Sequence, residues 1–166
     1  MTINRPSLKK DKHMNIGIVT NDFSCSQLSF YLVRNINLEC NSSTENDYMG
    51  FFENLSSNVM EPSFCVMNIS EIWGFKGILV ATSASTALTI IKAVTQSKKY
   101  FYVWDLEWLR NPDNYHTLLT IYRHPEINLI ARSETHAKVI ENFCNKPVVG
   151  IMDDFNLSDL KEIING

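Results

Sequence analysis

The segment from Lys76 to Asp105, KGILVATSASTALTIIKAVTQSKKYFYVWD, constrains the fold more than any other. It opens with an apolar run, Gly77-Ile78-Leu79-Val80-Ala81. Ala84, Ala87, Leu88, Ile91 and Val94 follow at the i, i+3, i+4 spacing of one helix face. A second apolar run, Tyr100-Phe101-Tyr102-Val103-Trp104, closes it. Strand, helix, strand at this length is a parallel crossover, which is nearly always right-handed. Strands apolar at almost every position are buried on both faces, as in a parallel sheet covered by helices.

The rest of the chain repeats that grammar. Residues 1–13 read as a flexible basic leader carrying Arg5, Lys9, Lys10 and Lys12. Met14 to Thr20 reads as the first strand. Ser24-Cys25-Ser26-Gln27 reads as a capping box, with Ser24 as N-cap and Leu28, Tyr31 and Leu32 on the buried helix face. A short second strand is expected near Ile36 to Cys40, then a loop through the Asn-Ser-Ser-Thr-Glu-Asn-Asp tract. Phe51, Phe52, Leu55 and Val59 have partial helical spacing. Ser63 to Ile69 reads as a strand, and Glu71 to Phe75 as a turn or helical piece. Tyr115, Leu118, Leu119 and Tyr122 mark a helix ending near His124-Pro125. Ile127 to Ala131 and Pro147 to Ile151 read as strands around a helix that Ser133 caps, and Leu157 to Ile164 as a terminal helix. The alternation predicts one α/β domain over 14–166. It is Rossmann-like, with an open, mainly parallel sheet and helices on both faces.

A net charge of -3 does not indicate a nucleic-acid surface. No apolar run approaches the roughly 20 residues that span a bilayer, so no membrane role is expected. Cys25, Cys40, Cys65 and Cys144 lie far apart without C-x-x-C spacing. They read as reduced thiols of a cytoplasmic protein, with neither a metal site nor a cofactor implied.

In open α/β sheets, ligands bind beyond the carboxyl ends of the strands. That rule selects Asn21, Asp22 and Phe23 after the first strand. It selects Thr82, Ser83, Ser85 and Thr86 after Ala81, then Asp105 and Glu107, then Arg132, Ser133 and Glu134, then Asp153 and Asp154. The Ser83 to Thr86 corner is either an ordinary N-cap or a helix terminus open to a phosphate or carboxylate. Asp105, between Trp104 and Trp108, is either a general base beside two sugar-stacking rings or a turn-capping aspartate with both indoles in the core. Ser133 and Glu134 form a cap or a polar rim of the cleft, with His136 close by. Asn-Asp-Phe-Ser follows the first strand where a dinucleotide site carries G-x-G-x-x-G, and neither a P-loop nor a G-x-S-x-G elbow occurs.

The opening strand MNIGIVTNDFS, the unit GILVATSASTALTIIKA, the run YFYVWDLEWL and above all INLIARSETHAKVIENFCNKPVVGIMDDFNL resemble the N-terminal, acceptor-side domain of GT-B type glycosyltransferases. Asn21-Asp22-Phe23 replaces that family's glycine-rich corner. The sequence ends at Gly166, where the family's donor-binding domain begins. The resemblance implies half of a split transferase, with Asp105 as catalytic base and Asn21, Asp22, Ser83, Ser85, Thr86, Glu107, Ser133 and Glu134 binding a sugar or sugar nucleotide. The partner implied is a donor-domain protein or a second copy, since one half alone is a poor catalyst. The alternative is a non-catalytic Rossmann-like module that binds a protein or small ligand. A second resemblance, to response-regulator receivers, rests on Asp22, Asp105, Ser133 and Lys146; there Lys146 precedes the last strand, whereas a receiver's lysine ends it.

Overall fold

The computed structural model describes residues 13–43 and 45–166. The leader lies outside the described residues except for His13, whose Nε2 is 2.9 Å from Asp47 Oδ2. The strands are β1 (Met14–Thr20), β2 (Asn46–Phe52), β3 (Cys65–Asn68), β4 (Ile78–Ala81), β5 (Lys98–Tyr102), β6 (Ile127–Ala131) and β7 (Val148–Ile151). The helices are α1 (Gln27–Ser42), α2 (Ala84–Lys92), α3 (Glu107–Arg110), α4 (Tyr115–Arg123), α5 (Glu134–Cys144) and α6 (Leu157–Asn165). The strands form one seven-stranded sheet in the order β3-β2-β1-β4-β5-β6-β7. Every neighbouring pair is parallel. The fold is therefore Rossmann-like, and the sheet is wholly parallel.

Two cores sandwich the sheet. On one face Val19, Leu79, Ala81, Phe101 and Leu129 pack under α2, α4 and α5 through Ala87, Ile90, Ile121, Tyr122 and Ile140. On the other, Ile16, Ile18, Val80, Tyr102 and Ile130 pack under α1 and α6 through Leu32, Val33, Ile36, Leu160 and Ile164. Successive side chains of a strand point to opposite faces, so burial on both sides requires the unbroken apolar runs seen in β1 and β4. All four residues of β4 are buried.

Four expectations are corrected. Residues 36–40 are not a strand; they are the last turns of α1. Ile36 is fully buried because it falls on the same helical face as Leu32 and Val33. The second strand is β2, further along the chain, in the stretch whose aromatic spacing looked helical. Phe51 enters one core and Phe52 packs against the other, as alternation in a strand demands. Ser24 is not the first helix's N-cap. That role belongs to Ser26, whose Oγ accepts from Ser29 N–H at 3.0 Å. The backbone N–H of Ser24 instead donates to Asp22 Oδ1 at 2.9 Å, closing an Asx turn ahead of the helix. Finally, β5 ends at Tyr102, and Trp104 lies beyond the strand.

Candidate functional site

The chain leaves β1 toward α1 on one face and β4 toward α2 on the other, so the two exits diverge at the sheet's switch point. Phe23 anchors the β1 exit. It is 2% exposed and packs over Gly50, where a Cβ would lie 2.7 Å from its ring. Asn21 is thereby held at the rim. Its Nδ2 donates to Glu53 Oε2 at 2.5 Å and to Ser85 Oγ at 3.0 Å. Ser85 Oγ in turn donates to Glu53 at 2.9 Å. One amide, one carboxylate and one hydroxyl thus join the exits of β1, β2 and β4. Glu53 had no place among the sequence candidates. With β2 read as loop and helix, the strand-end rule could not point to the residue just after it.

Asp22 sits beside this triangle, but its carboxylate is engaged in the turn with Ser24. The α2 corner is a complete capping box. Ser83 Oγ accepts from Thr86 N–H at 3.2 Å, and Thr86 Oγ1 accepts from Ser83 N–H at 3.0 Å and from Thr82 N–H at 3.2 Å. Thr86 is fully buried, so of the corner's hydroxyls Ser85 is the exposed one. Glu107 reaches across from α3 and accepts the Ala84 N–H at 2.7 Å. Burial is the main cause that pushes the Glu107 carboxyl above its usual range; the Ala84 N–H bond opposes it and the neighbouring Asp105 charge reinforces it.

Asp105 follows β5. Arg110 bridges it, with Nη1 3.2 Å from Oδ2, and the pair is well exposed. The two indoles beside it have different fates. Trp108 is buried and stacks face to face on Phe143 at 3.8 Å. Trp104 is half-buried and carries the Arg132 guanidinium 3.7 Å above its ring. Arg132 Nη2 is 3.8 Å from Asp154 Oδ1. The turn after β7 is left-handed at two consecutive non-glycine residues, Asp154 (φ 42°) and Phe155 (φ 57°). Asn35 on α1 holds it, donating Nδ2 to both carbonyls at 2.9 and 3.0 Å.

Ser133 caps α5 by accepting the His136 N–H at 3.2 Å, and Glu134 is exposed in its first turn. His136 Nδ1 accepts the Arg132 N–H at 3.3 Å, so the ring proton sits on Nε2. Burial, then the Arg132 charge, pulls the His136 pKa below 6.5, and the charge of Asp105 opposes them.

The nominated residues therefore gather into two groups. Asn21, Ser83, Ser85, Thr86 and Glu107 surround the α2 corner with the newly found Glu53. Ser133 and Glu134 belong to the α5 corner with Arg132 and His136, and Asp105 lies between. Lys146, the fourth member of the receiver-like set, is at the opposite end of the sheet. Its Nζ donates to His124 O at 2.6 Å and to Ile127 O, at the start of β6. Among the described residues, no three His, Cys, Asp or Glu side chains converge as a metal site would require, and no helix is long and apolar enough to cross a membrane. Comparison with protein-family models, with curated proteins and with solved structures finds no match to this chain.

Proposed function

We propose that this chain is a glycosyltransferase-like, acceptor-side domain that binds a sugar at the carboxyl edge of its sheet, in the cytoplasm. The observation that carries this reading is the Asn21–Glu53–Ser85 triangle. It spans three strand exits at the switch point and is polar, partly exposed and separate from either core. A carboxylate with a hydroxyl and an amide beside it matches the alternating donors and acceptors of a sugar. The four cysteines are free, which supports a reducing compartment. Asp105 is the base in this reading. It takes the proton from an acceptor hydroxyl while Arg110 steadies the carboxylate. The donor sugar nucleotide would be held by a second domain facing this edge.

Asp105→Asn tests the chemistry. With a donor domain and sugar nucleotide supplied, transfer falls by at least about a hundredfold, the usual weight of a general base. Undiminished transfer overturns the role.

A second reading, a non-catalytic interaction module, is favoured by one feature. A groove of 710 Å³, lined in part by Met49, Phe51, Met67 and Phe75, lies on the sheet face by β2 and β3. Trp73, 56% exposed, lies in the short 3₁₀ turn that links β3 to β4. Light scattering that shows a monomer at all concentrations, with no co-purifying protein, counts against that reading.

A further inference from the structure

We propose that Glu107 sets the ligand class of the switch-point crevice: seated on the first turn of α2, it shuts out phosphates and nucleotides and leaves the crevice to uncharged, hydroxyl-bearing ligands. The inference rests on the acceptor-site reading above and narrows it.

A helix N-terminus that follows a parallel strand is the usual seat for a phosphate, because its free N–H groups and dipole favour negative charge. Here that seat is already occupied by the chain itself. The Ala84 N–H goes to Glu107 Oε1 at 2.7 Å, the Thr86 N–H to Ser83 Oγ at 3.2 Å and the Ala87 N–H to Ser83 O at 2.9 Å. A second carboxylate, Glu53, sits on Ser85 Oγ in the same turn. An entering anion would meet two like charges and few free donors. A hydroxyl group would find carboxylate acceptors.

Glu107 cannot easily swing aside. The next residue, Trp108, is stacked on Phe143 at 3.8 Å and lies edge-on to Tyr122 at 5.4 Å, which nails α3 to the core. The carboxylate is delivered to α2 by the packing of its neighbour. It is also partly buried, so solvent screens its charge less than that of a surface glutamate.

The test titrates inorganic phosphate into the full chain and follows the backbone amides of Ala84 and Ser85 by NMR. Wild type shows no saturable shift in the millimolar range. Glu107→Ala opens the seat, and phosphate binds at least tenfold tighter with both amides moving. Glu107→Gln keeps an acceptor for the Ala84 N–H but removes the charge; it gains phosphate affinity too, to a smaller degree. If the alanine variant fails to fold, the glutamine variant decides. Phosphate that binds wild type at these amides overturns the proposal. So does a folded variant that gains nothing, or one that binds phosphate only at other amides. A parallel titration with neutral sugars keeps the two claims apart. Failure of every sugar to bind sinks the acceptor reading and leaves the phosphate result standing. Phosphate binding to wild type does the reverse.

Discussion

The α2 and α5 corners begin with the same plan and end in different states. Each follows a buried strand, each starts with a serine N-cap, and in each the third helical residue turns its side chain back on the chain. At α2 that residue is Thr86, which accepts from the N–H groups of Ser83 and Thr82. At α5 it is His136, which accepts from the N–H of Arg132. The difference lies in the neighbour. The first N–H of α2 receives a carboxylate delivered by α3, whereas among the described hydrogen bonds no side chain from another element reaches the first N–H of α5. Similar helix starts thus become a closed corner and an open one. The local sequence sets the cap, and the adjacent connection decides whether anything else can sit there.

The comparison breaks most severely at Trp108. Trp108→Ala removes the stack on Phe143 and costs about 3–5 kcal/mol, the range for a large buried aromatic. It also frees α3, so the Ala84 amide loses protection from hydrogen exchange while amides at the start of α5 keep theirs. Equal loss at both corners would mean that α3 does not close α2 selectively.

The caps come next. Ser83→Ala is expected to cost about 1–2 kcal/mol and Ser133→Ala about 0.5–1 kcal/mol, within the range for serine caps. The order follows from burial. Ser83 is bonded to a fully buried Thr86, while Ser133 lies in solvent. Paired urea melts read the ranking directly, and a reversed order contradicts it.

The smallest effect sharpens the α5 side. The folded-state pKa of His136 lies below 6.5, so the unfolded chain takes up this proton first as pH falls. Stability is full above 6.5 and declines as pH drops through the depressed folded value, where Nδ1 stops accepting the Arg132 N–H. His136→Gln flattens this decline. Asp105 raises the same pKa, so Asp105→Asn moves the His136 titration to still lower pH in an NMR experiment. No movement would place Asp105 outside the electrostatic reach of the α5 corner.

Much of this was legible because the informative residues speak through strict periods. The run from Ile78 to Ala81 is apolar and buried throughout, and in the run from Ile127 to Ala131 Asn128 alone is polar and half-buried; a doubly covered parallel strand buries both sides in this way. The exits of those strands were therefore legible too, and with them Ser83, Ser85, Ser133 and Glu134. The failure at β2 has an equally physical cause. Its first two residues are Asn46 and Asp47, poor strand formers, and the strand is held by its pairing with β1 along seven residues from Met14↔Asn46 to Thr20↔Phe52. Nothing local announces that pairing. Placing Glu53 depended on it.

By itself the sequence determined the layer order, the wholly buried central strand β4 and the serine caps of α2 and α5, though not that of α1, because these follow from local period and side-chain chemistry. Only the tertiary structure decided that Glu107 faces Ala84, that Glu53 joins Asn21 and Ser85, and that Trp104 carries Arg132 while Trp108 fills the core. Each of those joins residues from different connections, and their meeting is set by how strands pair and helices pack, which no stretch of local sequence encodes.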